Sequence, residues 1–125
     1  MTRGASRAQL GARMEHLAAV HLRAAGMRII ARNYRCRLGE IDLVGERAGC
    51  LHFVEVRYRR STRFGGAAAS VTLAKQARIA RTASHFLSRH PRYGRARCTF
   101  DVVTVVHANS RPEIEWLTGA FAAPG

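Results

Sequence analysis

The sequence predicts an α/β domain, a mixed sheet flanked by helices, on three observations. Two short stretches, residues 39–45 and 51–57, are rich in Ile, Leu, Val and Phe and stand five residues apart, which reads as a β-hairpin. Two longer stretches, residues 5–25 and 71–89, carry apolar residues at helical spacing. Residues 99–106 are a nearly continuous β-branched run, the pattern of a buried strand. The order is helix, three strands, helix, strand, and helices alternating with a sheet define an α/β architecture. A chain of 125 residues suits one domain spanning 1–125, with an ordered core over roughly 8–118.

The elements follow in order. In the first helix Leu10, Met14, Leu17, Ala18 and Leu22 form the apolar stripe, and Gly26 follows as the residue that ends it. Glu15 is its only acid and neighbours small and apolar residues, so two readings stand: an edge residue at the surface, or a carboxylate with a task. Met27-Arg28-Ile29-Ile30 is a short first strand. Arg32-Asn33-Tyr34-Arg35-Cys36-Arg37 is basic and aromatic; Arg35 and Arg37 suit a phosphate backbone and Tyr34 a base face, or the stretch is an irregular strand with solvated arginines. After the hairpin, residues 58–66 form a basic loop holding Arg59, Arg60 and Arg63, either phosphate contacts or solvated charge. The second helix has an apolar side of Leu73, Ala77, Ala80, Ala83, Phe86 and Leu87, and a basic stripe of Lys75, Arg78, Thr82, His85 and Arg89. Asp101, inside the buried strand, needs partners, and a structural role fits it best. Residues 113–117 read as an edge strand and residues 119–125 as a frayed tail.

Composition narrows function. Twenty arginines and one lysine face eight acids, a net charge of +13, which points to a polyanionic partner, nucleic acid first. No apolar run reaches the length of a membrane span, and no secretory leader is expected in the first ten residues. Three cysteines in no CxxC spacing argue against a disulfide framework or zinc site and fit a cytoplasmic protein.

Four of the eight acids (Glu40, Asp42, Glu46 and Glu55) lie in the hairpin. With Ala48 and Gly49 as the central turn residues, Asp42 falls opposite Glu55 and Glu40 opposite Arg57. Carboxylates so placed repel one another. A divalent cation gives them a reason, since Mg²⁺ is commonly held by one or two carboxylates plus water and phosphate.

These residues, with Gly11 and Glu15, Ile30-Ala31-Arg32-Asn33-Tyr34-Arg35, Gly39-Glu40-Ile41-Asp42-Leu43, Phe53-Val54-Glu55-Val56, Phe64-Gly65, Val71 with Lys75, Arg78-Ile79 and Phe100-Asp101-Val102-Val103, give the chain its resemblance to a known family. It resembles the YraN family of small bacterial proteins over roughly residues 8–121. That family is predicted to be related to the archaeal Holliday-junction resolvases of the restriction-endonuclease-like superfamily. The resemblance implies an αβββαβ core and a PD-(D/E)xK site: Asp42 and Glu55 as metal-binding carboxylates, Glu15 reaching the same Mg²⁺ or Mn²⁺, and a lysine after Glu55. This sequence has Arg57 at that last place. Arginine keeps its proton and cannot act as a base; Lys75 is the alternative source of an ammonium.

The expected function is a DNA-binding, endonuclease-like protein, a metal-dependent phosphodiesterase acting on DNA, with branched or structured DNA as a candidate substrate. Asp42, Glu55, Arg57 and Lys75 would form its catalytic set. Arg35, Arg37, Arg57, Arg59, Arg60, Arg63, Lys75 and Arg78 would form its nucleic-acid surface. By analogy with resolvases, two cuts imply a homodimer. The alternative is a non-catalytic nucleic-acid-binding module with a degenerate nuclease site.

Overall fold

A computed structural model describes residues 6–59, 71–106 and 111–123. Arg60 and Arg63 lie outside these residues. The elements are α1 (Arg7–Ala24), β1 (Arg28–Cys36), β2 (Gly39–Arg47), β3 (Cys50–Arg59), α2 (Leu73–Arg89), a 3₁₀ turn (Pro91–Tyr93), β4 (Arg97–Val106) and β5 (Glu113–Phe121). The sheet runs in the order β1-β2-β3-β4-β5, with only β3 and β4 parallel. A parallel pair needs a long crossover, and α2 lies within it. The architecture is the α/β fold read from the sequence, a mixed five-stranded sheet with two helices.

Each sheet face is covered by one helix. On one face Met14, Ala18, Ala19 and Leu22 of α1 pack with Leu43, Val54, Val103 and Val105. On the other, Ile79, Ala83 and Phe86 of α2 pack with Ile41, Val44, Phe53 and Val102. Val102 and Val103 thus serve opposite faces, as strand alternation requires. Among the described residues no helix is long and apolar enough to cross a membrane.

Local chemistry sets the ends. Ser6 caps α1 through a reciprocal box with Gln9. Gly26, at φ 92°, takes the left-handed conformation that closes the helix, with the Met27 N–H donating back to the Leu22 carbonyl at 3.0 Å. The β2–β3 turn has Ala48 and Gly49 both at positive φ, the mirror-image turn that suits a hairpin. Arg47 pairs with Cys50 and Leu43 with Val54, the register expected from the sequence.

Several sequence expectations are corrected. β1 extends through Tyr34 to Cys36, because β2 pairs with it along that length. Residues 119–121 belong to β5, not to a frayed tail; the Gly119 N–H donates to the buried Asp101 carboxylate at 3.0 Å. On α2, Leu73 is 81% exposed, whereas Thr82 is fully buried in the face against the sheet. The Thr82 hydroxyl spends its hydrogen bond on the Arg78 carbonyl at 2.8 Å, which makes that burial tolerable.

That contact is tight. A Cβ on Gly39 would meet Thr82 Oγ1 at 2.8 Å, and Gly39 also sits at φ 153°. Only glycine lets α2 approach the start of β2 this closely. Gly39→Ala is expected to destabilise the protein by about 1–3 kcal/mol, the cost of overpacking, read as a lower unfolding midpoint in urea. An unchanged midpoint would show that α2 yields there freely.

Candidate functional site

The two central antiparallel strands part company at the site. Their hydrogen-bonded ladder ends at Leu43–Val54, one step before Asp42 would face Glu55. Beyond that step the Asp42 carboxylate takes the place of a backbone carbonyl, accepting from the Val56 N–H at 2.8 Å. Asp42 therefore sits in the fork between β2 and β3 and lines a cleft on each side of it. Glu40 does not face Arg57 across this ladder. It pairs across β1–β2 with Arg35, and Glu46 pairs with Arg28. Cross-strand arginines thus account for two of the four hairpin acids.

The remaining two carboxylates press on each other. Glu55 is only 5% exposed. Burial, and then the Glu55 charge, push the Asp42 carboxyl up to about 7; the Val56 N–H opposes the rise, while the Glu15 charge and a hydrogen bond with the Glu55 side chain add to it. Glu15, half-buried on α1, lines the same cleft as Asp42. Of the sequence-predicted carboxylates, Glu55 on the neighbouring strand and Glu15 on α1 thus both act on Asp42.

Two cations meet one Glu55 oxygen. Lys75 Nζ lies 2.6 Å from Glu55 Oε2, and an Arg57 guanidinium nitrogen lies 3.6 Å from it. Lys75 stands in the first turn of α2, its N–H held by the capping Thr72 hydroxyl at 3.2 Å. Packing of α2 on β2 carries it over the sheet. Gly39, Asp42, Glu55, Lys75 and Arg78 line a cleft of about 200 Å³. Of the other arginines, Arg37 is exposed in the β1–β2 turn and Arg35 is exposed while paired to Glu40. Arg59 lies at the end of β3.

Two readings from the sequence change. Tyr34 is not a free stacking platform: its hydroxyl meets His85 Nδ1 at 2.5 Å and its ring packs edge-on against Phe86. The aromatic residue at the site is instead Tyr58, 41% exposed and lining the Asp42–Glu15 cleft. Strand parity carried the signal, since Val54, Val56 and Tyr58 share the α1 face. Asp101 has the structural role expected of it. Its buried carboxylate accepts from Trp116 Nε1 at 2.9 Å and lies 2.7 Å from His52 Nδ1. Thr99 Oγ1 contacts that same ring nitrogen, so the three do not form a relay through both imidazole nitrogens.

An oxygen-only donor set with excess negative charge suits Mg²⁺ or Mn²⁺. Among the described residues no three His, Cys, Asp or Glu side chains gather closely enough to cage a metal. The carboxylates that could take part in holding such an ion are Asp42 and Glu55, with Glu15 beside Asp42 in the α1-side cleft.

Comparison with known proteins adds a family. A family model described as uncharacterised protein family UPF0102 matches residues 14–105. The chain is 48% identical to a UPF0102 protein of Nitrosococcus oceani, over 89% of this chain and 90% of the relative. It is 48% identical to one of Nitrosomonas europaea, over 89% and 92% of the two chains. A relative from Methylococcus capsulatus is 46% identical over 96% of each.

Proposed function

We propose that this chain, which belongs to the UPF0102 family, binds DNA and hydrolyses its phosphodiester bonds with a divalent metal held by Asp42 and Glu55. The observation that carries this reading is the pair of partly and fully buried carboxylates at the β2–β3 fork, with Lys75 drawn to Glu55 and Glu15 acting on Asp42. Like charges so concentrated and buried repel, and a bound cation would relieve that repulsion. A net charge of +13 supplies the attraction to a polyanion.

The residues take distinct roles. Asp42 and Glu55 hold the metal, and Glu15 orients what binds on the α1 side. Mg²⁺ or Mn²⁺, when bound, supplies positive charge at the scissile phosphate and acidifies water there. Lys75 places an ammonium against Glu55, where it can donate to a phosphate oxygen or move a proton at Nζ. Arg57 binds phosphate as a permanent cation. Arg78 lines the same cleft, and Arg37 stands exposed at the sheet edge for the DNA backbone.

A second reading, a nuclease fold that binds nucleic acid without turnover, draws on one residue: Arg57 stands where a base-competent lysine is expected. One experiment separates the two. Affinity for duplex and branched DNA is expected to fall steeply with salt, by about 0.9 log units per phosphate contacted for each tenfold rise. With Mg²⁺ or Mn²⁺ the strands are expected to be cut, and Asp42→Ala is expected to end the cutting. Salt-sensitive binding without cleavage of duplex, branched or single-stranded DNA selects the binding module. Affinity that ignores salt removes both.

A further inference from the structure

The cleft on the α1 side of Asp42 has a chemistry unlike its neighbour. It measures about 250 Å³ and is lined mainly by Leu10, Met14, Val56 and Tyr58, with Arg7, Glu15 and Asp42 as its charged residues. Cation-lined surfaces suffice for phosphate, so an apolar concavity beside a phosphate site is made for another part of the substrate. A partly exposed aromatic ring, Tyr58, beside an apolar lining offers the kind of surface on which a nucleobase stacks. In a duplex both faces of each base are covered by neighbours, so only an unpaired base can use such a cleft.

Gly11 supports the same reading. Its place inside α1 costs about 1 kcal/mol relative to alanine. A Cβ there would meet nothing within 4 Å, so packing within the protein does not require glycine. The bare helix backbone widens the cleft at that point. Arg7, one turn earlier on the same helix, lines the same cleft and brings a cation to it.

We infer that this cleft binds an unpaired nucleotide next to the scissile phosphate, so that the preferred substrates are DNAs with single-stranded gaps, flaps or open branch points. The inference rests on the function proposed above. Asp42, shared by both clefts, fixes the geometry: the phosphate lies at the fork and the base turns toward α1.

The test measures fluorescence anisotropy without divalent metal, using a labelled duplex and the same duplex interrupted by a short gap. Wild type is expected to prefer the gapped DNA. Base–aromatic stacking is worth about 1–3 kcal/mol, so Tyr58→Ala is expected to lower the gapped-to-duplex affinity ratio by roughly 5- to 150-fold. Tyr58→Phe, which keeps the ring face, is expected to keep the ratio. Gly11→Leu is expected to lower it by filling the cleft while holding or raising the melting temperature, which separates occlusion from misfolding. Equal affinity of wild type for both DNAs, or a ratio unmoved by both Tyr58→Ala and Gly11→Leu, overturns the inference and leaves DNA binding standing. Binding to neither DNA overturns the inference and the proposed function together.

Discussion

Replacing Asp42 with asparagine is expected to stabilise the metal-free protein at pH 8 while abolishing its cleavage of DNA. The Asp42 carboxyl is raised from 3.8 to about 7 by burial and by the Glu55 charge. Between those values the folded state holds a proton that the unfolded chain has released. The stability contributed by this group is therefore full below about pH 3.8, falls as pH rises through that window, and is lost above about 7. At about 1.4 kcal/mol per unit, the loss is on the order of a few kcal/mol. The asparagine amide reproduces the protonated acid: its oxygen accepts from the Val56 N–H, and its NH₂ donates toward Glu55. The difference in melting temperature between Asp42→Asn and wild type should be near zero at pH 4 and several degrees at pH 8. Taking the difference cancels the histidines and the acids remote from Asp42, which titrate alike in both proteins. Mg²⁺ should close the gap at pH 8 by stabilising wild type alone. A variant less stable than wild type at pH 8 without metal would show that Asp42 serves the fold rather than binding.

Much of this site could be read from the chain because β-structure has short-range rules. Ala48-Gly49 as a two-residue turn set the register, and the register brought Asp42 to Glu55. The family resemblance added Glu15 and Lys75, which periodicity alone left as an edge acid and part of a solvated stripe. The resemblance named the same family as the comparisons do. What escaped the sequence depends on three-dimensional packing. The parting of β2 and β3 after Leu43–Val54 turns Asp42 into the fork, and alternation cannot predict where a ladder stops. Thr82 reads as polar surface until its hydroxyl is seen folded back on the Arg78 carbonyl. Tyr34 reads as a stacking residue until His85, far along the chain, takes its hydroxyl. Leu73 reads as core, but as the first residue of α2 it stands 81% exposed, its side chain turned away from the buried face of Ile79, Ala83 and Phe86.

Lys75, not Arg57, is expected to limit turnover. Both cations face Glu55 Oε2, but the lysine ammonium is the nearer, 2.6 Å against 3.6 Å. It is also the only one of the two able to give up and regain a proton. General acid–base groups contribute about 10²–10⁴-fold, so Lys75→Ala is expected to slow Mg²⁺-dependent cleavage within that range. Arg57→Lys should change the rate little, because the place of the movable proton is already filled from α2. Lys75→Ala also strips a buried carboxylate of its closest cation, so a loss of rate alone is ambiguous between chemistry and folding. Lys75→Arg resolves it. The guanidinium keeps a charge beside Glu55 and supports the fold, yet it cannot move a proton at neutral pH. Cleavage lost in both Lys75→Ala and Lys75→Arg, with the melting temperature kept in the second, assigns Lys75 a proton-moving role. Cleavage kept in Lys75→Arg assigns it charge alone. Cleavage kept in Lys75→Ala but raised by Arg57→Lys returns the role to the strand position after Glu55, and the short Lys75–Glu55 contact is then structural.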